Sequence, residues 1–499
     1  ELYHIIIYSK PMYLGIDLGT SSIKCLLIDD NQKTIATSSH DFSISTPKSG
    51  WAEQEPSFWI NGLSNCLNSL NKNVDFKNIL SISFSGQMHG ATCLNQEGKI
   101  IRPSILWNDT RSFKECESMM SSNPDIMDIT GNLAMPGFTA PKIAWMREHE
   151  PENFKDIHKI LLPKDYLRFY LCNEYFSDMS DASGTYWLNV GERNWSTKLL
   201  DLCDLTEDNM PQLCEGTEQT GVVSKKIAET YGFDYGCKII GGAGDNAAGA
   251  IGLGLISEGE GSISLGTSGV IFTPTSKFKK NYHDATHSFC HCIPDTWHLM
   301  TVMLSCTSNI NWFTDTFKIK LEDLFKYFET KFDSNLDYCP YYLPYLTGER
   351  TPINDPFIRG SFTNIGLQTK LDDMSYSLIE GISFGILDNY LSLEKANHNL
   401  DTLYVIGGGS QNDQWLEMIA TLLQKKLILT EESSSMAAFG AARIALIGNN
   451  NSNLNEVLYK PSIVKTISPI SNKYEMLSNR FKLWKKIYES NKSLAPSFN

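Results

Sequence analysis

The sequence predicts an α/β protein built as two related halves that face one another across a cleft. Three observations carry this reading. The tetrapeptide Leu18-Gly19-Thr20-Ser21 recurs 247 residues later as Leu265-Gly266-Thr267-Ser268, about half of the 499-residue chain. Each copy sits where one apolar run turns and a second returns, in YLGIDLGTSSIKCLLID (13–29) and GSISLGTSGVIF (261–272), which is a β-hairpin signal. Around the hairpins, helical and strand patterns alternate in both halves, as α/β domains require. Repetition of one unit at half the chain length points to paired units closing on a shared site.

The elements follow in order. Glu1 to Pro11 holds only the short run Ile5 to Tyr8, too short for a secretory core, and is set aside. After the first hairpin, Pro56-Ser57 opens a helix with Trp59, Leu63, Leu67 and Leu70 on one face. Ile79 to Ser85 alternates as a strand and stops at Gly86. Lys159 to Pro163 reads as a short strand, with a helix from Lys164. Lys238 to Gly242 is strand-like and runs into a small-residue helix from Asn246. Leu403 to Ile406 is a strand ending in Gly407-Gly408-Gly409, and Trp415 to Leu423 is the helix after it. The expected division is a first domain at 12–236, a second at 237–478, and a terminal segment at 479–499. The helix of that segment, near Phe481 to Tyr488, is expected to pack back on the first domain.

Composition narrows the function. Hydrophobic residues at 41% and charged residues at 20% are ordinary for a globular chain, and the length suits two domains of about 200–250 residues. A net charge of −14 argues against a nucleic-acid partner, and requires that any bound polyphosphate be helped by a metal or by backbone N–H groups. No run approaches the ~18 apolar residues of a membrane span. The 12 cysteines are scattered without a CxxC pair, which fits reduced, buried thiols and predicts a cytoplasmic setting. Cys290 and Cys292 beside His287 and His291 lack a second pair at zinc spacing.

Three glycine-rich loops each follow a strand. In the first, Gly15-Ile16-Asp17-Leu18-Gly19-Thr20-Ser21, backbone N–H groups can cradle phosphate. Asp17 beside that cradle is electrostatically wrong unless a cation lies between them, and Mg²⁺ takes carboxylate, water and phosphate ligands together. Capping the hairpin turn is the ordinary use of such an Asp. The second hairpin has Ser264 there, so Asp17 marks the metal side. Its tip, Gly266-Thr267, could meet the other end of a polyphosphate. The third loop, Gly407 to Ser410, lacks both GxGxxG and GxxxxGKS spacing. Gly440-Ala441-Ala442 would let a flat ligand such as adenine approach.

Asp245 stands in Gly241 to Ala250, a strand-to-helix junction crowded with small residues. It would either cap the helix or accept a proton from an attacking hydroxyl; the crowding implies that a ligand or another backbone comes close. Gly86-Gln87-Met88-His89-Gly90 and Trp107-Asn108-Asp109-Thr110-Arg111 offer amide, imidazole, carboxylate and guanidinium groups with an aromatic wall, the equipment of a polyol pocket.

These blocks, with TGNLAMPGFTAPK, LLPKDYLR, SDMSDASGT, GDNAAGAIG, LPYLTGERTP and VIGGG, resemble the FGGY family of carbohydrate kinases from about Met12 nearly to the C-terminus. QMHG together with WND.R resembles the family's xylulose branch. The resemblance implies an actin-like, ribonuclease-H-like fold with the active site between two domains. It implies ATP and Mg²⁺ and conversion of D-xylulose to D-xylulose 5-phosphate. It makes Asp245 the catalytic base and places Met88, His89, Asn246, Asp245 and Asp109 at the sugar. Thr20, Ser21, Gly266, Thr267, Gly408, Gly409 and Asn412 would meet phosphates or nucleotide, and Asp17 and Asp245 the metal. Dimers are common in the family, which extends a homodimer as an expectation. Ala243 departs from the family's run of glycines before the Asp, a change small in volume. A kinase for another ketose such as ribulose, and an actin-like ATPase without a sugar substrate, remain as alternatives.

Overall fold

The computed structural model describes residues 10–493 except 335, 337, 397, 432–434 and 451–453; most of the N-terminal stretch set aside above, and the last residues of the terminal segment, lie outside them. Strands β1 (Met12–Leu18) and β2 (Ser22–Asp29) form the first hairpin, and β2 pairs on to β3 (Thr34–Asp41). Helix α1 (Pro56–Leu70) starts at a proline, whose missing N–H needs no partner there, and buries the predicted Trp59, Leu63, Leu67 and Leu70. Strand β4 (Ile79–Gly86) adds parallel to β1, and α2 (Pro163–Cys172) follows later in the chain. With β5 (Gln219–Val222) and β6 (Lys238–Ile240), the first sheet runs β5-β6-β4-β1-β2-β3. The pair Ala243–Gly244 extends it against the end of β4.

Helix α3 (Asp245–Leu253) leads to β7 (Glu260–Leu265) and β8 (Gly269–Thr275), the second hairpin. Then come β9 (His287–Cys290), β10 (Trp297–Met303), α4 (Leu371–Lys395), β11 (Thr402–Ile406), α5 (Asp413–Leu423), β12 (Leu427–Thr430), α6 (Met436–Asn450), β13 (Ile463–Ile467) and α7 (Tyr474–Lys492). The second sheet runs β9-β10-β8-β7-β11-β12-β13. Both sheets repeat one pattern. The first hairpin strand has its antiparallel partner on one side and a parallel strand on the other (β2 and β4 around β1; β8 and β11 around β7). A second parallel strand and an antiparallel edge strand follow (β6 and β5; β12 and β13). The repeated Leu-Gly-Thr-Ser occupies the same turn in each unit. This is the two-domain actin-like fold.

Two expectations need correction. The division at 236/237 falls inside the first sheet, because β6 and Ala243–Gly244 both pair with β4. Helix α7 packs on the second core rather than on the first domain: Leu477, Trp484 and Tyr488 are buried there, Trp484 Nε1 donates to the Tyr342 carbonyl at 2.7 Å, and Arg480 pairs with Glu380.

The small-residue helices α3 and α6 join the halves. A Cβ at Gly440 would stand 1.8 Å from the Ala248 carbonyl oxygen, and one at Gly15 would stand 2.1 Å from that of Ala438. Gly440-Ala441-Ala442 is therefore used for backbone-to-backbone packing of α6 on α3 and β1, and not for adenine. All twelve cysteines are buried and unpaired. Among the described residues, no helix is long and apolar enough to cross a membrane.

Candidate active site

The register of the first sheet brings the two key carboxylates together. Across β4, Asp17 and Ala243 lie on either side of Ser85, and Leu18 and Gly244 on either side of Gly86. Asp17 ends β1 and Asp245 opens α3, so both emerge at the carboxyl ends of parallel strands, where α/β sheets form crevices. They line one cavity of about 230 Å³ with Asn246, Gly249, Ser262, Ser264 and the start of α6 at Ser435, Met436 and Ala437. The cavity thus has walls from both halves.

Asp245 is not the helix cap. Gly244 holds the cap position, and no side chain caps this terminus. The backbone N–H and Nδ2 of Asn246 both donate to Asp245 Oδ1, at 2.7 and 2.8 Å. Oδ2 receives no hydrogen bond from the described residues. Burial, and then the charge of Asp17, lift this carboxyl to about 6, against the pull of the Asn246 bonds. Burial also raises Asp17, which accepts from Ser85 Oγ at 2.8 Å. Two carboxylates that disfavour each other's charge on one cavity wall fit a divalent cation, which would relieve both.

The Gln87-Met88-His89-Gly90 segment continues from the same strand. Met88 is buried, and a Cβ at Gly244 would stand 2.9 Å from its Sδ. His89 adopts φ 70°, the left-handed region that non-glycine residues rarely occupy. It is held there from both ends. Its Nδ1–H donates to the Gly184 carbonyl at 2.7 Å, while its own carbonyl accepts from Thr139 Oγ1 (3.0 Å) and Lys142 Nζ (2.9 Å). Burial lowers its pKa to about 3, so the ring is neutral and Nε2 can only accept. A hydroxyl fits that role. Phe138 and Phe289 face the ring at 4.8 and 6.1 Å.

Comparison with known proteins assigns the family. The chain matches the N-terminal domain of the FGGY family of carbohydrate kinases over residues 12–252 and the C-terminal domain over 261–448. The chain belongs to the FGGY family of carbohydrate kinases. It is 36% identical over 479 residues to a xylulose kinase of Escherichia coli, covering 96% of this chain and 99% of that one. A xylulose kinase of Lactococcus lactis is 36% identical over 495 residues, covering 97% of each chain. The crystal structure of a xyloylose kinase from Brucella ovis superposes with a TM-score of 0.92 at 40% identity, covering 97% of this chain and all of that one.

In this FGGY kinase the two hairpin tips differ in length: Leu18 pairs with Ile23 across residues 19–22, and Leu265 with Gly269 across residues 266–268. Gly19 N–H donates to the Ser22 carbonyl at 2.9 Å, and Gly266 N–H to that of Ser268 at 3.2 Å. The Thr20 hydroxyl accepts from Trp107 Nε1 at 3.0 Å, which ties the WND block to the first tip beside Ser21. The carbonyls of Gly266 and Thr267 accept from Thr307 and Cys306 N–H, at 3.0 and 2.8 Å. A Cβ on Gly408 would meet nothing within 4 Å, whereas one on Gly409 would strike Leu265 and Trp415. Asn412 caps α5, its Oδ1 accepting from Trp415 N–H at 2.8 Å and its Nδ2 donating to Glu329 at 2.9 Å. Asp109 is fully engaged: Arg111 binds it through Nε (2.9 Å) and Nη2 (2.7 Å), and Ala52 N–H through its second oxygen (2.6 Å). Its place is therefore to orient Arg111, not to present a free carboxylate to sugar.

One group escaped the sequence reading. Lys164 Nζ lies among the buried carboxylates of Asp165, Asp178 (2.6 Å) and Asp181 (3.2 Å). The three acids offer oxygens within 4.8 Å of one another, a spacing a divalent ion could use, but the ammonium already stands between them. Asp178 accepts from Ser180 Oγ, which in turn accepts the Gly244 N–H at 3.0 Å. The cluster thereby fixes the backbone immediately before Asp245. The blocks LLPKDYLR and SDMSDASGT contain these residues, yet nothing in their spacing shows that they meet.

Proposed function

We propose that this FGGY kinase transfers the γ-phosphoryl group of ATP to the terminal C5 hydroxyl of D-xylulose, giving D-xylulose 5-phosphate and ADP. The observation that carries the reading is the open Oδ2 of Asp245, on one cavity with Asp17 and one residue from the glycine that Met88 touches. The xylulose kinases named above, similar over almost the whole chain, support the choice of sugar.

The chain's own residues account for the steps. Met88 and the neutral His89 hold the sugar, with Nε2 of His89 accepting from one of its hydroxyls. Asn246 fixes Oδ1 of Asp245 and leaves Oδ2 to take the proton of the reacting hydroxyl. The sugar oxygen forms a bond to the γ-phosphorus as the bond to the bridging oxygen breaks, and ADP leaves. Thr20, Ser21, Gly266 and Thr267, from facing hairpins, steady the phosphates, and Gly408, Gly409 and the Asn412-capped start of α5 border the nucleotide. Asp17 and Asp245 would hold Mg²⁺, which supplies charge neutralisation for the polyphosphate. The two halves close on the cleft to exclude water.

The test is sugar-dependent ADP release with Mg-ATP and D-xylulose, D-ribulose, L-xylulose, xylitol and glycerol. D-xylulose should give by far the highest kcat/KM. Equal ATP turnover without sugar would replace this reading with an ATPase module, and a higher value for ribulose would move the substrate within the family.

A further inference from the structure

Arg350 lies in the LTGERTP segment of the second half. Its side chain is part-buried, and no carboxylate pairs with it among the described residues. Nη1 donates to His287 Nε2 at 3.2 Å, and Nε and Nη2 meet no acceptor among those residues. The neighbouring Glu349 does not serve. Its Oε1 accepts from Leu304 N–H (2.8 Å) and Arg350 N–H (2.7 Å), and burial lifts its carboxyl to about 8, leaving it neutral at pH 7. A part-buried guanidinium with no answering carboxylate keeps an N–H edge available to the oxygens of a ligand.

Its orientation is fixed by a buried relay that runs from the first half to the second. Asn132, from the first half, donates Nδ2 to the Thr130 and Ser288 carbonyls, so its Oδ1 accepts from His287 Nδ1–H at 2.9 Å. His287 therefore offers an unprotonated Nε2 to Arg350. Its ring stacks on Phe289 at 5.3 Å, and Phe289 faces His89. Arg350 is also close enough that its charge acts on His89. The guanidinium thus stands beside the aromatic wall that carries His89, with its Nε–Nη2 edge unused.

The chemistry of the proposed substrate supplies the match. In a 2-ketopentose the C5 hydroxyl is the one that closes an unstrained ring on the carbonyl. When that hydroxyl attacks phosphorus, the sugar is open-chain, and its other end is a hydroxyketone with two adjacent oxygens. The parallel N–H groups of a guanidinium edge suit such a pair. We propose that Arg350 is a substrate-binding residue that reads the hydroxyketone end of the open-chain sugar. This rests on the ketose-kinase reading above.

The experiment is calorimetric binding of D-xylulose and of xylitol, which has the ketone reduced, to the full chain without ATP, together with steady-state kinetics. It uses the native protein, Arg350→Gln and Arg350→Lys. The native protein should prefer D-xylulose over xylitol by ~10-fold or more, the scale of a lost pair of charge-assisted hydrogen bonds, and both variants by less than about twofold. In both, KM for D-xylulose should rise ~10–100-fold while kcat and KM for ATP stay within about threefold. Guanidinium ion should restore part of the loss in Arg350→Gln. A preference unchanged in either soluble variant, or a rise confined to KM for ATP, overturns the proposal. Failure of the native protein to phosphorylate any ketose overturns the ketose-kinase reading instead, and this proposal with it.

Discussion

The thioether of Met88 lies over the α-carbon of Gly244: a Cβ at that glycine would stand 2.9 Å from Sδ and 3.0 Å from Cγ. Gly244 pairs with Gly86 and directly precedes Asp245. Sheet register, rather than sequence proximity, thus puts the segment proposed to hold the sugar against the residue proposed to take the proton.

Gly244→Ala should therefore act on the sugar before it acts on the fold. Met88 is flexible enough to yield, so the fold is kept with Tm lowered by only a few degrees. The shifted thioether should raise KM for D-xylulose about 5-fold or more, with KM for ATP unchanged. Thermal melts and steady-state kinetics on one preparation check this. A fall in Tm with no change in KM would make the contact mere packing.

Two helical glycines should respond in opposite ways. Gly440→Ala drives a methyl into the backbone of Ala248, which cannot move aside, and should lower stability by ~3 kcal/mol or more. A Cβ on Gly249 meets nothing within 4 Å because the residue lines the cavity. Gly249→Ala should raise stability by ~0.5–1 kcal/mol through helix propensity, while raising KM for ATP. Urea denaturation and ATP titration read both effects.

These glycines also show how far the sequence was legible. The hairpins, the strand stopping at Gly86 before QMHG and the helix expected from Asn246, which starts at Asp245, were plain, because turn chemistry and apolar period are local. The small residues around Asp245 did mean close approach, but by α6 more than by a ligand: Ala247 and Ala248 are buried while Gly249 borders the cavity. Pairing is what local pattern cannot give. Strand β6 looks the same whether it joins the first sheet or the second, and α7 shows an apolar face without showing its partner. Asp109 looked available for sugar because its engagement by Arg111 and Ala52 depends on geometry. Lys164, Asp165, Asp178 and Asp181 share no local pattern, and only the fold brings them together.

The pH profile follows from the carboxyl pair. Asp245 must be ionised to accept a proton, so kcat/KM should rise through about pH 6 and level above it. Asp17→Asn removes the second of the two influences raising that carboxyl, so the acid limb of the residual activity should move to lower pH. The stability sign is the reverse. The folded-state pKa of Asp245 lies above its unfolded value, so this group's contribution is fully present below about pH 4 and is lost as pH rises through about 6. Asp245→Asn should therefore stabilise the protein at pH 8 by up to about 3 kcal/mol, and the gain should fade below about pH 4. Denaturation at both pH values checks the sign.

The central claim is that Asp245 takes the proton of the sugar hydroxyl, and Asp245→Ala tests it most directly when turnover with D-xylulose and Mg-ATP is measured on protein with a native-like melting transition. Turnover should fall by at least ~10²-fold, the scale of a lost general base. Near-normal turnover in that folded variant would contradict the account.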